Sequence, residues 1–235
     1  MKRTTVALLC AHAWLFGSSL ASAQMDEDLI PETHSFVSPE HFGVEFRVGP
    51  YHPDMGTGND AFEAFYSDDD GPLLALELDV IAYRFDDIVY FSGGGEIGTV
   101  HFKGKTLDMQ GNETAEETSF SMLPLQLLAT VRFDALAREL SVPFIITGKL
   151  GYQWAHWSTE SGDVEDAEGW SVGLTWAAQL ALDLDTFEPG AARMMDEEWG
   201  INHSFVFFEL NEFKPSSESL PLRGVSWIAG LGFTF

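Results

Sequence analysis

Cysteine, basic residues and long apolar runs are scarce in this chain, and each scarcity removes a class of protein. The single cysteine, Cys10, lies within the first 23 residues. The rest can form no disulfide, which excludes a small stapled secreted scaffold. Leu9 stands before Cys10 where a lipidation motif wants a small residue, and Cys10 is inside an apolar run, so no lipid anchor is expected. Lys and Arg number 12 against 37 Asp and Glu, a formal charge of −25. So acidic a chain, with no basic patch in its sequence, repels nucleic acid. After residue 23 no stretch reaches the roughly 20 apolar residues of a spanning helix. His52, His101 and His203 show no metal-binding spacing. Gly93-Gly94-Gly95 lacks the helix start and lysine of a phosphate loop, and glycines inside a strand serve curvature or a bulge. No cofactor is expected.

What the chain has in abundance is two-residue alternation, most plainly over 224–235. One face reads Val225, Trp227, Ala229, Leu231, Phe233, Phe235; the other Gly224, Ser226, Ile228, Gly230, Gly232, Thr234. An apolar face backed by a small, weakly polar one suits a transmembrane barrel strand between lipid and lumen. Phe235 preceded at steps of two by Phe233, Leu231, Ala229 and Trp227 resembles the C-terminal signal read by the outer-membrane barrel-insertion machinery, an expected partner. At the other end Lys2 and Arg3, the apolar run 6–17 and Ala21-Ser22-Ala23 compose a signal peptide over 1–23. Its removal takes two bases and no acid, giving −27. Residues 24–41, with Asp26, Glu27, Asp28, Glu32, Glu40 and two prolines, read as an acidic, extended periplasmic arm.

The same alternation divides 42–235 into eight strands. Strand one, 42–51, sets Phe42, Val44, Phe46 and Val48 against Glu45 and Arg47, which can pair two apart along the strand. Strand two, 73–84, turns Leu74, Leu76, Leu78, Val80 and Ala82 outward and Glu77, Asp79 and Tyr83 inward. Strand three, 88–102, brings in Tyr90 and Glu96. A polar loop is expected over 103–118. Strand four, 119–133, turns Gln126 and Arg132 inward, and Pro124 suggests a bulge or an irregular upper end. A helical turn is allowed over 134–141. Strand five, 143–156, brings in Thr147, Lys149 and Gln153; an acidic loop, 158–168, follows. Strand six, 169–183, turns Ser171, Thr175 and Gln179 inward. Within 184–200 a short helix over 191–199 competes with a longer turn. Strand seven, 201–213, turns Val206, Phe208 and Leu210 outward and Glu209 inward, with Phe205 and Phe207. The connections alternate long and short, and aromatics fall at two levels, Phe42, Phe133, Phe144 and Phe235 against Trp154, Trp170 and Trp227, as interface girdles do.

The expected fold is all-β: an eight-stranded, antiparallel, up-and-down transmembrane β-barrel of the bacterial outer membrane. A soluble lipocalin-type barrel is the competing fold, with the faces reversed. The stretch Gly43-Val44-Glu45-Phe46-Arg47-Val48-Gly49-Pro50-Tyr51-His52-Pro53-Asp54, with the closing Leu231-Gly232-Phe233-Thr234-Phe235, resembles the predicted outer-membrane β-barrel proteins of myxobacteria and their relatives. The resemblance implies a small barrel in contact with outer-membrane lipid and no established activity.

Candidate chemistry falls in three places. The inward set Glu45, Arg47, Glu77, Asp79, Glu96, Arg132, Lys149 and Glu209 reads as a polar plug, with a narrow ion or solute channel as the alternative. The acidic loops, Asp68, Asp69 and Asp70 in one and Asp163, Glu165, Asp166 and Glu168 in another, are weak Ca²⁺ candidates without EF-hand spacing. His156 and Ser158, two apart on one strand face with Glu160 nearby, resemble the base and nucleophile of barrel deacylases that trim lipid A. The main expectation is a structural or surface-interaction role, presenting acidic loops to an unidentified extracellular ligand; a catalytic role is the minor alternative.

Overall fold

A computed structural model describes residues 39–51, 53, 66, 71–85, 88–107, 113–140, 142–161, 164–216 and 222–235. The leader, nearly all of the arm and Asp68, Asp69, Asp70 and Asp163 lie outside these residues.

Eight strands follow in order: β1 (Phe42–Tyr51), β2 (Gly71–Phe85), β3 (Val89–Leu107), β4 (Glu113–Phe133), β5 (Phe144–Ser161), β6 (Val164–Asp183), β7 (His203–Pro215) and β8 (Gly224–Thr234). Each pairs antiparallel with its sequence neighbour, and β1 pairs with β8. The barrel is therefore closed, although β3 beyond Thr99 and β6 before Gly173 run past their ladders with β2 and β7. Near the closure Phe42 N–H donates to the Phe235 carbonyl at 3.0 Å and Phe235 N–H to the Phe42 carbonyl at 2.9 Å.

Alternation sorts the side chains inside out. Leu127 and Leu150 on the outer surface are each 62% exposed, whereas Glu45 and Glu209 inside are 1% and 0%. In a soluble sheet protein the reverse would hold, because apolar area is driven from water. Around the wall, Phe46, Leu78, Ile97, Leu127, Leu150, Leu174, Leu210 and Leu231 form a continuous exposed apolar belt.

Four details depart from the sequence-based expectation. Tyr83 faces outward, 60% exposed, because a bulge between Ile81 and Tyr83 shifts the register and reverses the alternation beyond it. Pro124 makes no bulge. The β3–β4 register is the same on either side of it, and its ring sits opposite Gly98, where no side chain competes for the space. The stretches expected as loops over 103–118 and 158–168 are largely strand, since β3 runs to Leu107, β4 starts at Glu113, β5 runs to Ser161 and β6 starts at Val164. Once outside lipid, ladder hydrogen bonds need no apolar face, so polar residues continue the sheet. Finally, Glu40 is buried rather than solvated: its carboxylate meets Arg84 and His203, each at 3.3 Å.

Among the described residues, two helices lie at the end of the barrel that carries Phe42 and Thr234. α1 (Ala135–Leu140) joins β4 to β5, and α2 (Pro189–Trp199) joins β6 to β7. Pro189 opens α2, where its missing N–H costs nothing. Gly200, at φ 68°, closes it in the left-handed region, donating to the Asp196 carbonyl. No helix among the described residues is long and apolar enough to cross a membrane.

Candidate functional site

The lumen is filled in levels. At mid-height the register aligns Glu45 with Glu77 and Glu77 with Glu96, three carboxylates on neighbouring strands. Like charges so placed repel, and cations must reach them from elsewhere. Arg47, two residues along β1 from Glu45, puts Nη1 on Glu77 and, at 3.2 Å, on Glu45; its Nη2 meets Glu209 and its Nε stands 3.0 Å from Glu96. Lys149 comes from β5, and its Nζ lies 2.7 Å from Glu45, 2.8 Å from Glu77 and 3.2 Å from Glu209. Arg132 adds a contact to Glu45 at 3.3 Å. Gln179 Nε2 donates to Glu45 at 3.0 Å, and Gln126 Nε2 to Glu96 at 2.7 Å. The network braces β1–β3 against β5–β7 across the barrel axis. Asp79 is also buried, its carboxylate lying over Gly43.

Above this level, away from the helices, the filling turns apolar. Tyr51, Leu73, Val100, Phe102, Phe120, Met122, Ala155, Phe213, Leu222 and Ile228 are all buried, members of an apolar cluster that also takes in Ile145, Ala181, Phe205 and Phe207. Tyr66 folds over it, its ring 6.3 Å from Phe102 and 6.2 Å from Phe120, and burial raises its phenol pKa. Tyr51 Oη donates to the Leu222 carbonyl at 3.0 Å. Below the ionic level Phe205 and Phe207 lie over Gly232 and Gly230 of β8, with Arg132 over the Phe205 ring at 4.9 Å. A cavity of about 30 Å³ remains there, lined by Glu40, Tyr90, Arg132, Asp134, Asp183, His203 and neighbours. That is room for one water.

At the rim, His101, Ser121, Ser158 and Glu168 form one register row across β3–β6 just beyond the apolar belt. His156 and Ser158 share the outward face there, yet no hydrogen bond joins them among the described residues. His156 instead packs edge-on to Trp170, with Glu168 at 4.0 Å. The hydroxyl that does meet an imidazole is Ser121, 2.9 Å from His101 Nδ1. This pairing crosses two strands separated by a hairpin, so no spacing in the sequence marks it.

A second group escapes sequence reading: Asp183, Asp185 and His203, whose ligand atoms lie within 4.8 Å of one another. Asp183 Oδ1 accepts from the Asp185 N–H and Oδ2 from Thr186 Oγ1, while Asp185 accepts from Ser204 and faces His203 Nδ1 at 2.7 Å. These bonds cap the turn after β6 and account for the carboxylates without an ion.

No protein-family model matches the sequence, and no curated protein matches it. Among solved structures the chain is similar to Ail, the attachment invasion locus protein of Yersinia pestis, crystallised with the heparin analogue sucrose octasulfate. Identity is 11% over 83% of this chain and 97% of that one, with a TM-score of 0.47. It is also similar to Neisserial surface protein A (12%, covering 83% and 97%, TM-score 0.45) and to the outer membrane protein OprG of Pseudomonas aeruginosa (12%, 83% and 96%, TM-score 0.44). None of these carries a role over to this chain, and the myxobacterial attribution finds no support among them. The fold stands on the chain's own ladder: eight strands, a charged interior and an apolar belt make this a barrel seated in the bacterial outer membrane.

Proposed function

We propose that the chain is a sealed outer-membrane anchor, and that its role lies in what its loop end presents outside the cell. The observation behind this reading is the two-level filling of the lumen. An ion crossing it would have to part the contacts of Arg47 and Lys149 and then the packed rings of Phe102, Phe120 and Tyr66. An eight-stranded barrel has an interior that side chains just fill, which supports this reading. The β3–β4 and β5–β6 hairpins have strands of 18 to 21 residues. A spanning strand needs about 9–11, so both hairpins extend well past the belt as a display platform on one side of the barrel. In this reading residues 1–23 direct export, and the Trp227-to-Phe235 face is read by the insertion machinery.

Reconstitution of the purified full chain in a planar bilayer tests the seal. The expected trace shows no steady single-channel steps; reproducible steps of fixed conductance would replace the anchor with a pore.

A further inference from the structure

In a protein of charge −25, the exposed bases at the loop end of the barrel have an unusual distribution. Among the described residues, Lys103 and Lys105 on β3, Lys214 on β7 and Arg223 just before β8 are exposed there, and by the strand alternation all four lie on the outward face. Two of them are neighbours. Lys214 and Arg223 are the next residues beyond Phe213 and Gly224, the last pair of the β7–β8 ladder, and both reach the same carboxylate. Two cations side by side across a strand pair repel. Glu212 holds both, its Oε2 at 3.3 Å from Lys214 Nζ and its Oε1 at 3.2 Å from Arg223 Nη2, and it also accepts from Trp176 Nε1 at 2.7 Å. Among the described residues one carboxylate serves two cations, with the lysine side chain 51% and the arginine 57% exposed.

What lies beneath the pair identifies the kind of anion it fits. One register step toward the chain termini come Trp176 and Val225, then Leu210 and Trp227, then Phe208, whose ring stacks on Trp227. The cations thus stand where the apolar belt gives way to water, the level of lipid headgroups, with indoles marking the interface. A free anion would use the charge and leave the aromatic and aliphatic ladder unused. A lipid would use both.

We propose that Lys214 and Arg223 bind a phosphate on the headgroup of an outer-leaflet glycolipid, whose acyl chains run down over Leu210, Trp227 and Phe208. This rests on the outer-membrane reading. The guanidinium offers a planar fork that matches phosphate, the ammonium a second point charge. Glu212, anchored by Trp176, holds the two cations in place from the barrel side and leaves their outward sides to the ligand.

Native mass spectrometry of the full chain, delipidated in detergent, is the test, with diphosphorylated lipid A, the same lipid without phosphates, and inorganic phosphate as probes. The wild type is expected to hold the phosphorylated lipid. The pair Lys214→Ala and Arg223→Ala should weaken it at least about tenfold, whereas Lys214→Arg, and separately Lys103→Ala with Lys105→Ala, keep it. Equal retention by wild type and the double variant, equal binding of the dephosphorylated lipid, or displacement by inorganic phosphate alone would each overturn the proposal. Heat-modifiable migration in SDS, run on every variant, separates the failures. A wild type without that shift sinks the membrane-barrel reading and this site with it, while a shifted barrel that ignores the lipid sinks only the site.

Discussion

The middle of the lumen and its loop-side end are filled with opposite materials. The middle holds four glutamates gathered on Arg47, Lys149 and Arg132; the loop side holds Phe102, Phe120, Met122 and their neighbours. The difference lies in how each fails. An apolar layer that loses a ring keeps its remaining contacts and gains a cavity. An ionic layer that loses one cation leaves carboxylates buried without a partner, which costs more than the pair was worth. The middle of the barrel is therefore the brittle part, and the loop side the forgiving one.

The largest effect should come from Lys149→Met, which takes from Glu45 and Glu77 one of the two cations they share and leaves them Arg47. A loss of about 3–5 kcal/mol is expected in urea unfolding of the bilayer-inserted protein, and a change below about 1 kcal/mol would remove the contrast between the two levels. Adding Glu77→Gln to that variant should restore a large part of the loss, because fewer charges are left stranded; a double variant as weak as the single one would deny the coupling. Phe120→Ala comes next. The loss should be about 3 kcal/mol, toward the low end for a buried ring because the loop-side cluster closes in, and the barrel should stay closed by gel migration. The smallest effect belongs to Glu40→Ala. Its partners Arg84 and His203 are partly exposed, so about 1 kcal/mol is expected, read best as faster proteolysis near residue 40.

Much of this fold is legible in period-two patterning, because in a barrel each side chain's neighbour is either lipid or lumen. Leu74 to Val80 and Trp170 to Leu182 carry that signal without interruption. It breaks where the backbone adds a residue: the bulge at Ile81 turns Tyr83 to the outside, and nothing in the side-chain pattern announces it. It weakens again beyond the belt, where both faces meet water and strand residues such as Lys103 and Glu117 look like loop. The charged inward positions stand out in the sequence, but their partnerships do not, since Lys149 reaches Glu45 across 104 residues of chain. The same holds for the His101–Ser121 contact and the Lys214–Arg223 pair, which exist only through register.

An inside-out barrel sets its apolar face against lipid and encloses its charged face. Tryptophan fluorescence of the full chain in vesicles whose acyl chains are brominated reads that arrangement. Trp154, Trp170, Trp176 and Trp227 face outward from the belt, so strong quenching relative to unbrominated vesicles is the predicted result. Unquenched emission, with the protein recovered in the aqueous fraction, would contradict the inside-out barrel.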